Sequence, residues 1–286
     1  MNKSASPNQT RDRRQGSRAQ ERQAAQRQIR MLIVAVVGVV IVAAVLIAVF
    51  AGGGDKKSSS TTATAVDAMS LATSIAAIPA ETFDAVGAGT ASGVPTAYDG
   101  TAIAKDGKPE LLYVGAEYCP FCAAERWAIV AALSRFGSFS NLSLTTSAAQ
   151  DVFPNTPTFS FYGSTYTSEY LVFTSVETET NDGKTLQVPT DDQIAVVKET
   201  GKGGIPFLSF GGKYYISGAT YDPGVISERN APGIAQLMAD PAHPIAMSVL
   251  GAANGITAAI CGMTNNQPAA VCESPGVIAA KAAAGI

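Results

Sequence analysis

The chain has 286 residues, a formal net charge of −3, four cysteines and a single histidine. The charge is uneven: residues 1–30 hold eight Lys and Arg against Asp12 and Glu21, a net of +6, which leaves −9 on residues 31–286. No Gly-rich phosphate loop, nucleophile elbow or H-E-x-x-H occurs, and His243 stands alone in a loop. Nucleotide-binding, serine-hydrolase and zinc-protease signatures are thereby excluded, and neither a metal site nor a cofactor is expected.

Residues 1–30 read as a disordered, cytoplasmic head. A basic arm for nucleic acid is the rival reading, but positive-inside topology explains the charge without that partner, and no nucleic acid is expected. Residues 31–50 are 20 residues without a charge, enough for a helix to cross a hydrocarbon core of roughly 30 Å. A cleaved signal peptide is the alternative. The run exceeds the usual apolar region of about 7–15 residues and no clean A-x-A follows, so an uncleaved single-pass anchor is expected. Residues 51–66 are rich in Gly, Ser and Thr and read as a flexible linker with a reach of roughly 20–25 Å. Residues 67–286 are then an extracytoplasmic domain on the outer face of the cell membrane.

Within that domain, residues 111–116 form a buried apolar strand and residues 120–136 a helix. Cys119 takes its N-cap and Pro120 its first position, where a missing N–H costs nothing. Residues 142–146 read as the second strand. A strand-rich insertion spans residues 154–189, with runs at 158–161 and 169–176. Asp191 and Asp192 open a helix that ends at Gly201. A strand follows Pro206, and Gly211-Gly212 turns it into a hairpin with residues 214–216. A C-terminal helical extension covers residues 240–286, after a helix at residues 231–238.

The chemistry concentrates at Cys119-Pro120-Phe121-Cys122. Two cysteines with two residues between them, at a strand-to-helix turn, make a thiol–disulfide pair. A helix N-terminus supplies partial positive charge and free N–H groups, which lower a thiol's pKa below about 8.5. Cys119 is expected to be the nucleophile at an exposed tip, and Cys122, on the apolar face with Ile129, Leu133 and Phe136, the resolving thiol behind it. Glu125 and Arg126 lie within one turn of Cys122 and either tune the thiols or form a solvated ion pair or a clamp to a neighbouring segment. Glu117 faces the same choice. Tyr118, Pro120 and Phe121 form the rim that meets substrate, and Trp127 belongs to the core. All four cysteines lie beyond the expected span, where disulfides persist. Cys261 and Cys272 therefore read as a second disulfide, either pinning the terminal helices or shuttling electrons to the first pair.

Ala116-Glu117-Tyr118-Cys119 with Cys122, and Gly204-Ile205-Pro206 ahead of the next strand, resemble the thioredoxin fold. The string from Glu117 to Trp127 (EYCPFCAAERW) is similar to a membrane-anchored bacterial and archaeal family described as a domain of unknown function, over roughly residues 78–272. The resemblance implies an α/β, thioredoxin-like fold with the insertion and extension above. It implies a cis Pro206 beside the cysteines, Ile205 pairing its backbone with an extended substrate, and thiolates kept free of metals. It departs at Tyr113, where such proteins usually place a buried carboxylate six residues before the first cysteine, so Cys122 needs another proton acceptor. The expected function is a membrane-tethered thiol–disulfide oxidoreductase acting on cysteine-containing proteins, served by a membrane redox partner. The alternative is a scaffold that docks a membrane partner, with structural disulfides only.

Overall fold

The computed structural model describes residues 67–200 and 203–286; the basic head, the expected membrane span and the linker lie outside them. The elements are α1 (Ala68–Ala76), α2 (Ala80–Val86), β1 (Thr96–Ala97), β2 (Ala104–Lys105), β3 (Lys108–Gly115), α3 (Pro120–Leu133), β4 (Gly137–Ser140), β5 (Ser143–Thr146), β6 (Pro157–Ser160), β7 (Thr165–Ser168) and β8 (Val172–Glu177). They continue with α4 (Asp191–Glu199), β9 (Phe207–Phe210), β10 (Tyr214–Ser217), a 3-10 turn (Pro223–Val225), α5 (Ala231–Met238), α6 (Pro244–Met263), α7 (Ala269–Cys272) and α8 (Pro275–Ala284). This is a mixed α/β architecture.

The central sheet is built on β3. β8 runs parallel to it on one side, with Leu111 opposite Phe173 and Val114 opposite Val176. β9 runs antiparallel on the other, with Val114 opposite Phe207, and β10 and β1 extend the sheet beyond β9. The two-residue periodicity of β3 divides the core. Leu111 and Tyr113 join Leu208, Phe210 and the apolar residues of α3 and α6 on one face. Leu112 and Val114 join Val176, Phe207 and Val196 of α4 on the other.

Two expectations change here. The strand at residues 142–146 is not the sheet's second strand: β5 pairs only with β6, in a two-stranded ribbon beside the sheet. That place belongs to β8, which lies inside the expected insertion. Both runs carry strand-type side chains, but β8 extends over six positions, long enough to pair along β3, whereas β5 has four. Secondly, α3 stops at Leu133, because the following residues close as turns before β4.

The 20-residue helix α6 is long and apolar enough to cross a membrane, but 83% of its most apolar window is buried inside the domain. Its apolar surface is used by α3, α5 and α8, which pack around it, so its composition is that of a core helix. His243 caps it, with Nδ1 accepting a hydrogen bond from the Ile245 N–H at 3.1 Å.

Candidate active site

β3 delivers the chain to Ala116, and a short turn places Cys119 at the N-cap of α3. Cys119 is extended (φ −74°, ψ 119°), and its Sγ accepts from the Cys122 N–H at 3.3 Å. The sulfur thus does what an N-cap oxygen does elsewhere. Turning back over the helix leaves Cys119 only 6% exposed, so it is not the exposed tip the sequence suggests; Phe121, 41% exposed, takes that position. Pro120 is buried rather than on the rim, and Tyr118 is half-buried. Phe121 meets Phe153 edge to face at 6.1 Å.

The two thiols are unbridged and differ sharply. Cys119 is lowered to about 7, first by the hydrogen bond from the Cys122 thiol, with the Cys122 and Phe121 N–H groups and the Arg126 charge adding to it against burial. Cys122 is fully buried, and desolvation pushes its thiol well above the usual range, reinforced by the bond it gives Cys119. Near neutral pH a large share of Cys119 is therefore thiolate, while Cys122 holds its proton. That asymmetry suits thiol–disulfide exchange.

Arg126 and Glu125 are both completely buried and do not pair with each other, which rules out the solvated ion pair. Arg126 reaches across to Glu177 at the end of β8, donating from Nε at 2.8 Å and from Nη2 at 2.7 Å. The same Nη2 donates to the Ala116 carbonyl at 2.7 Å. Burial works against the guanidinium charge, and the Glu177 carboxylate, together with smaller contributions from Tyr113 and Cys122, outweighs it. Glu125 accepts from both the N–H and the hydroxyl of Thr220 at 2.8 Å, while Tyr221 donates to the Ala124 carbonyl at 2.6 Å. These contacts clamp the segment after β10 to α3. Burial raises the Glu125 carboxyl to about 7 against the opposing Thr220 bonds. Glu117 is tied to the β5–β6 ribbon through Ser160 and Thr145. Trp127 is core, its indole N–H donating to the Pro157 carbonyl at 2.9 Å.

Sequence reasoning missed Glu177, which sits 51 positions from Arg126 and meets it only because β8 pairs with β3. An arginine in the largely apolar stretch AAERWAIVAAL was the available signal, since a charge drawn into such a helix needs a partner.

Ile205–Pro206 is a cis peptide, as the resemblance implies. Since Phe207 pairs with Val114, Pro206 falls at the end of β3 from which the cysteine turn departs. Pro206 is buried and Ile205 half-buried. Cys261 and Cys272 are bridged, between α6 and α7. Next to Cys261, Gly262 lies so close to Tyr214 that an added Cβ would be 2.5 Å from its ring, and its carbonyl accepts from Lys213 at 3.2 Å. That is the β9–β10 turn, beside the start of β3. The second pair is thus at the opposite end of the sheet from Cys119, which supports pinning rather than a direct shuttle. Among the described residues, no group of three His, Cys, Asp or Glu side chains is placed to hold a metal.

Residues 96–200 match a family described as a domain of unknown function, DUF929. The match takes in β3, both cysteines of the turn, Arg126 and Glu177, and stops before Pro206. No curated protein and no solved structure matches the chain.

Proposed function

We propose that the domain is a thiol–disulfide oxidoreductase of thioredoxin-like architecture, held outside a membrane by the anchor at residues 31–50. Its substrates are cysteine-containing proteins, and a membrane redox partner renews the Cys119–Cys122 pair. The strand order β8-β3-β9-β10, with β3 and β8 parallel, α3 between them in sequence and a cis proline opening β9, supports the fold assignment. The single observation that carries the chemistry is the split between the thiols: Cys119 at about 7 on a helix N-terminus and Cys122 sealed behind it.

Insulin reduction and refolding of a scrambled-disulfide substrate test this reading and separate reductase from oxidase or isomerase action. Turnover in at least one assay, abolished by Cys119→Ser, is the expected result. No turnover in either, or a Cys119→Ser variant equal to the parent, overturns it.

A second reading is a binding module that docks a membrane partner. It draws on the burial of Cys119 and on the exposure of Phe121, Val152 and Tyr162. A reduced Cys119 that resists alkylation across the neutral range would favour it.

A further inference from the structure

Among the described residues, three buried side-chain polar atoms lack a hydrogen-bond partner: the Tyr113 hydroxyl, Arg126 Nη1 and Glu125 Oε1. Buried groups of this kind are rare, since each forfeits its bonds to water. The first two belong to side chains that flank Gly115 and Ala116, where β3 hands over to the cysteine turn. The Tyr113 phenol runs along β3 over Gly115, where a Cβ would lie 2.1 Å from the hydroxyl, so only glycine leaves room for it. Its ring is held edge to face against Phe161 at 5.2 Å, and Arg126 Cζ lies 5.9 Å from the ring centre. The next residue, Ala116, accepts from Arg126 through its carbonyl, and its backbone N–H favours a thiolate at Cys122. Two donors without acceptors therefore border the peptide that touches Cys122. In the reduced pair Cys122 is a thiol, and the Cys119 thiolate is held by the Cys122 thiol and the N–H groups at the start of α3, so neither donor has an anion at Cys122.

Resting on the oxidoreductase reading above, we propose that the Tyr113 hydroxyl and Arg126 Nη1 receive the thiolate expelled from Cys122 when the disulfide is attacked. In that step a thiolate R–S⁻ attacks Cys119 Sγ and forms the R–S–Sγ bond. The Cys119–Cys122 bond breaks, and its electron pair leaves on Cys122 Sγ. The attacking sulfur is oxidised and the Cys122 sulfur reduced, and no proton moves, since Tyr113 keeps its O–H and only donates a hydrogen bond. Burial holds the phenol pKa well above its ordinary value, in keeping with a donor that stays neutral. The receptor acts where charge develops, so it accelerates opening of the disulfide and, in reverse, its closure. It shifts the equilibrium at neutral pH little, because the reduced end state carries Cys122 as a thiol. It replaces the buried carboxylate that Tyr113 displaces: an anion receptor stands in for a proton acceptor.

Stopped-flow reduction of the oxidised domain by dithiothreitol tests this, with wild type, Tyr113→Phe and Arg126→Lys. Phenylalanine keeps the contact with Phe161, and lysine keeps a charge for Glu177. Tyr113→Phe is expected to slow the step roughly tenfold to a hundredfold, and Arg126→Lys to slow it less. The pH 7 reduction potential, and the alkylation rate of Cys119 in a Cys122→Ser background, stay at the wild-type values in Tyr113→Phe. Rates within twofold of wild type in both variants overturn the receptor, as does a loss of Cys119 alkylation that parallels the slowing. A wild-type disulfide that does not react with dithiothreitol overturns the oxidoreductase reading itself, and the receptor with it.

Discussion

Cys119 and Cys122 sit at the head of α3 with Arg126, Glu177 and Tyr113 packed behind them, whereas Cys261 and Cys272 join α6 to α7 beside the β9–β10 turn. The first pair is unbridged and its two thiols are held at different ionisation states by burial, hydrogen bonds and a buried cation. The second pair is bridged and belongs to the apolar core cluster, with the residue after Cys261 packed against the ring of Tyr214. A fully buried ion pair is expensive, and among the described residues the one between Arg126 and Glu177 stands behind the first pair. The contrast teaches that the spacing of cysteines matters less than what stands behind the sulfur.

The largest effect that breaks this contrast is expected from Glu177→Ala. It leaves the Arg126 guanidinium buried without its carboxylate, and removal of one partner from such a pair costs about 3–5 kcal/mol. Urea denaturation should show that loss, and a change below about 1 kcal/mol would mean that solvent reaches the pair.

Glu125 gives the next effect. Its carboxyl lies near 4.5 ordinarily and at about 7 in the fold. Below pH 4.5 it is protonated in both states and costs nothing. Between these values the unfolded chain releases the proton while the folded domain retains it, so stability falls as pH rises and levels off above about 7. The loss is of order 3 kcal/mol. Glu125→Gln should keep the Thr220 contacts and flatten that slope, and unfolding curves at pH 5 and pH 8 for both proteins check it. Equal slopes would mean the group titrates normally.

Removing the second bridge with Cys261→Ala and Cys272→Ala opens a loop of about a dozen residues and should cost about 2–3 kcal/mol. Disulfide exchange at Cys119 should be unchanged per folded molecule. A parallel loss of exchange would restore the shuttle reading. Gly115→Ala gives the smallest effect, about 1–3 kcal/mol from crowding the Tyr113 phenol. Thermal melts read it, and Tyr113→Phe in the same background should recover part of the loss.

The strand, the cysteine turn and the start of α3 were legible in the sequence because local rules place them: an apolar run, a sulfur at the N-cap and a proline at the first helical position. The hairpin from Phe207 to Ser217 followed from Gly211-Gly212, both at positive φ. β8 matches the run expected at residues 169–176, but its place in the sheet escaped because residues 142–146 come first in the chain, and which strand docks on β3 is decided by three-dimensional pairing. α1 and α2 were missed, since their Ala, Ser and Thr continue the composition of the preceding linker. The burial of Glu125 and Arg126 ran against the rule that charges face water, and its explanation lies in Thr220 and Glu177, far away in sequence. Local patterns thus located the sulfurs, and long-range pairing supplied what tunes them.

The contrast between the pairs is tested most directly by graded glutathione buffers followed by acid quench, alkylation and mass mapping of all four cysteines. Cys119 and Cys122 should label together across a narrow range of mild reducing conditions while Cys261 and Cys272 stay unlabelled in the folded domain. Labelling of all four in one transition, or of Cys261 and Cys272 first, would contradict it.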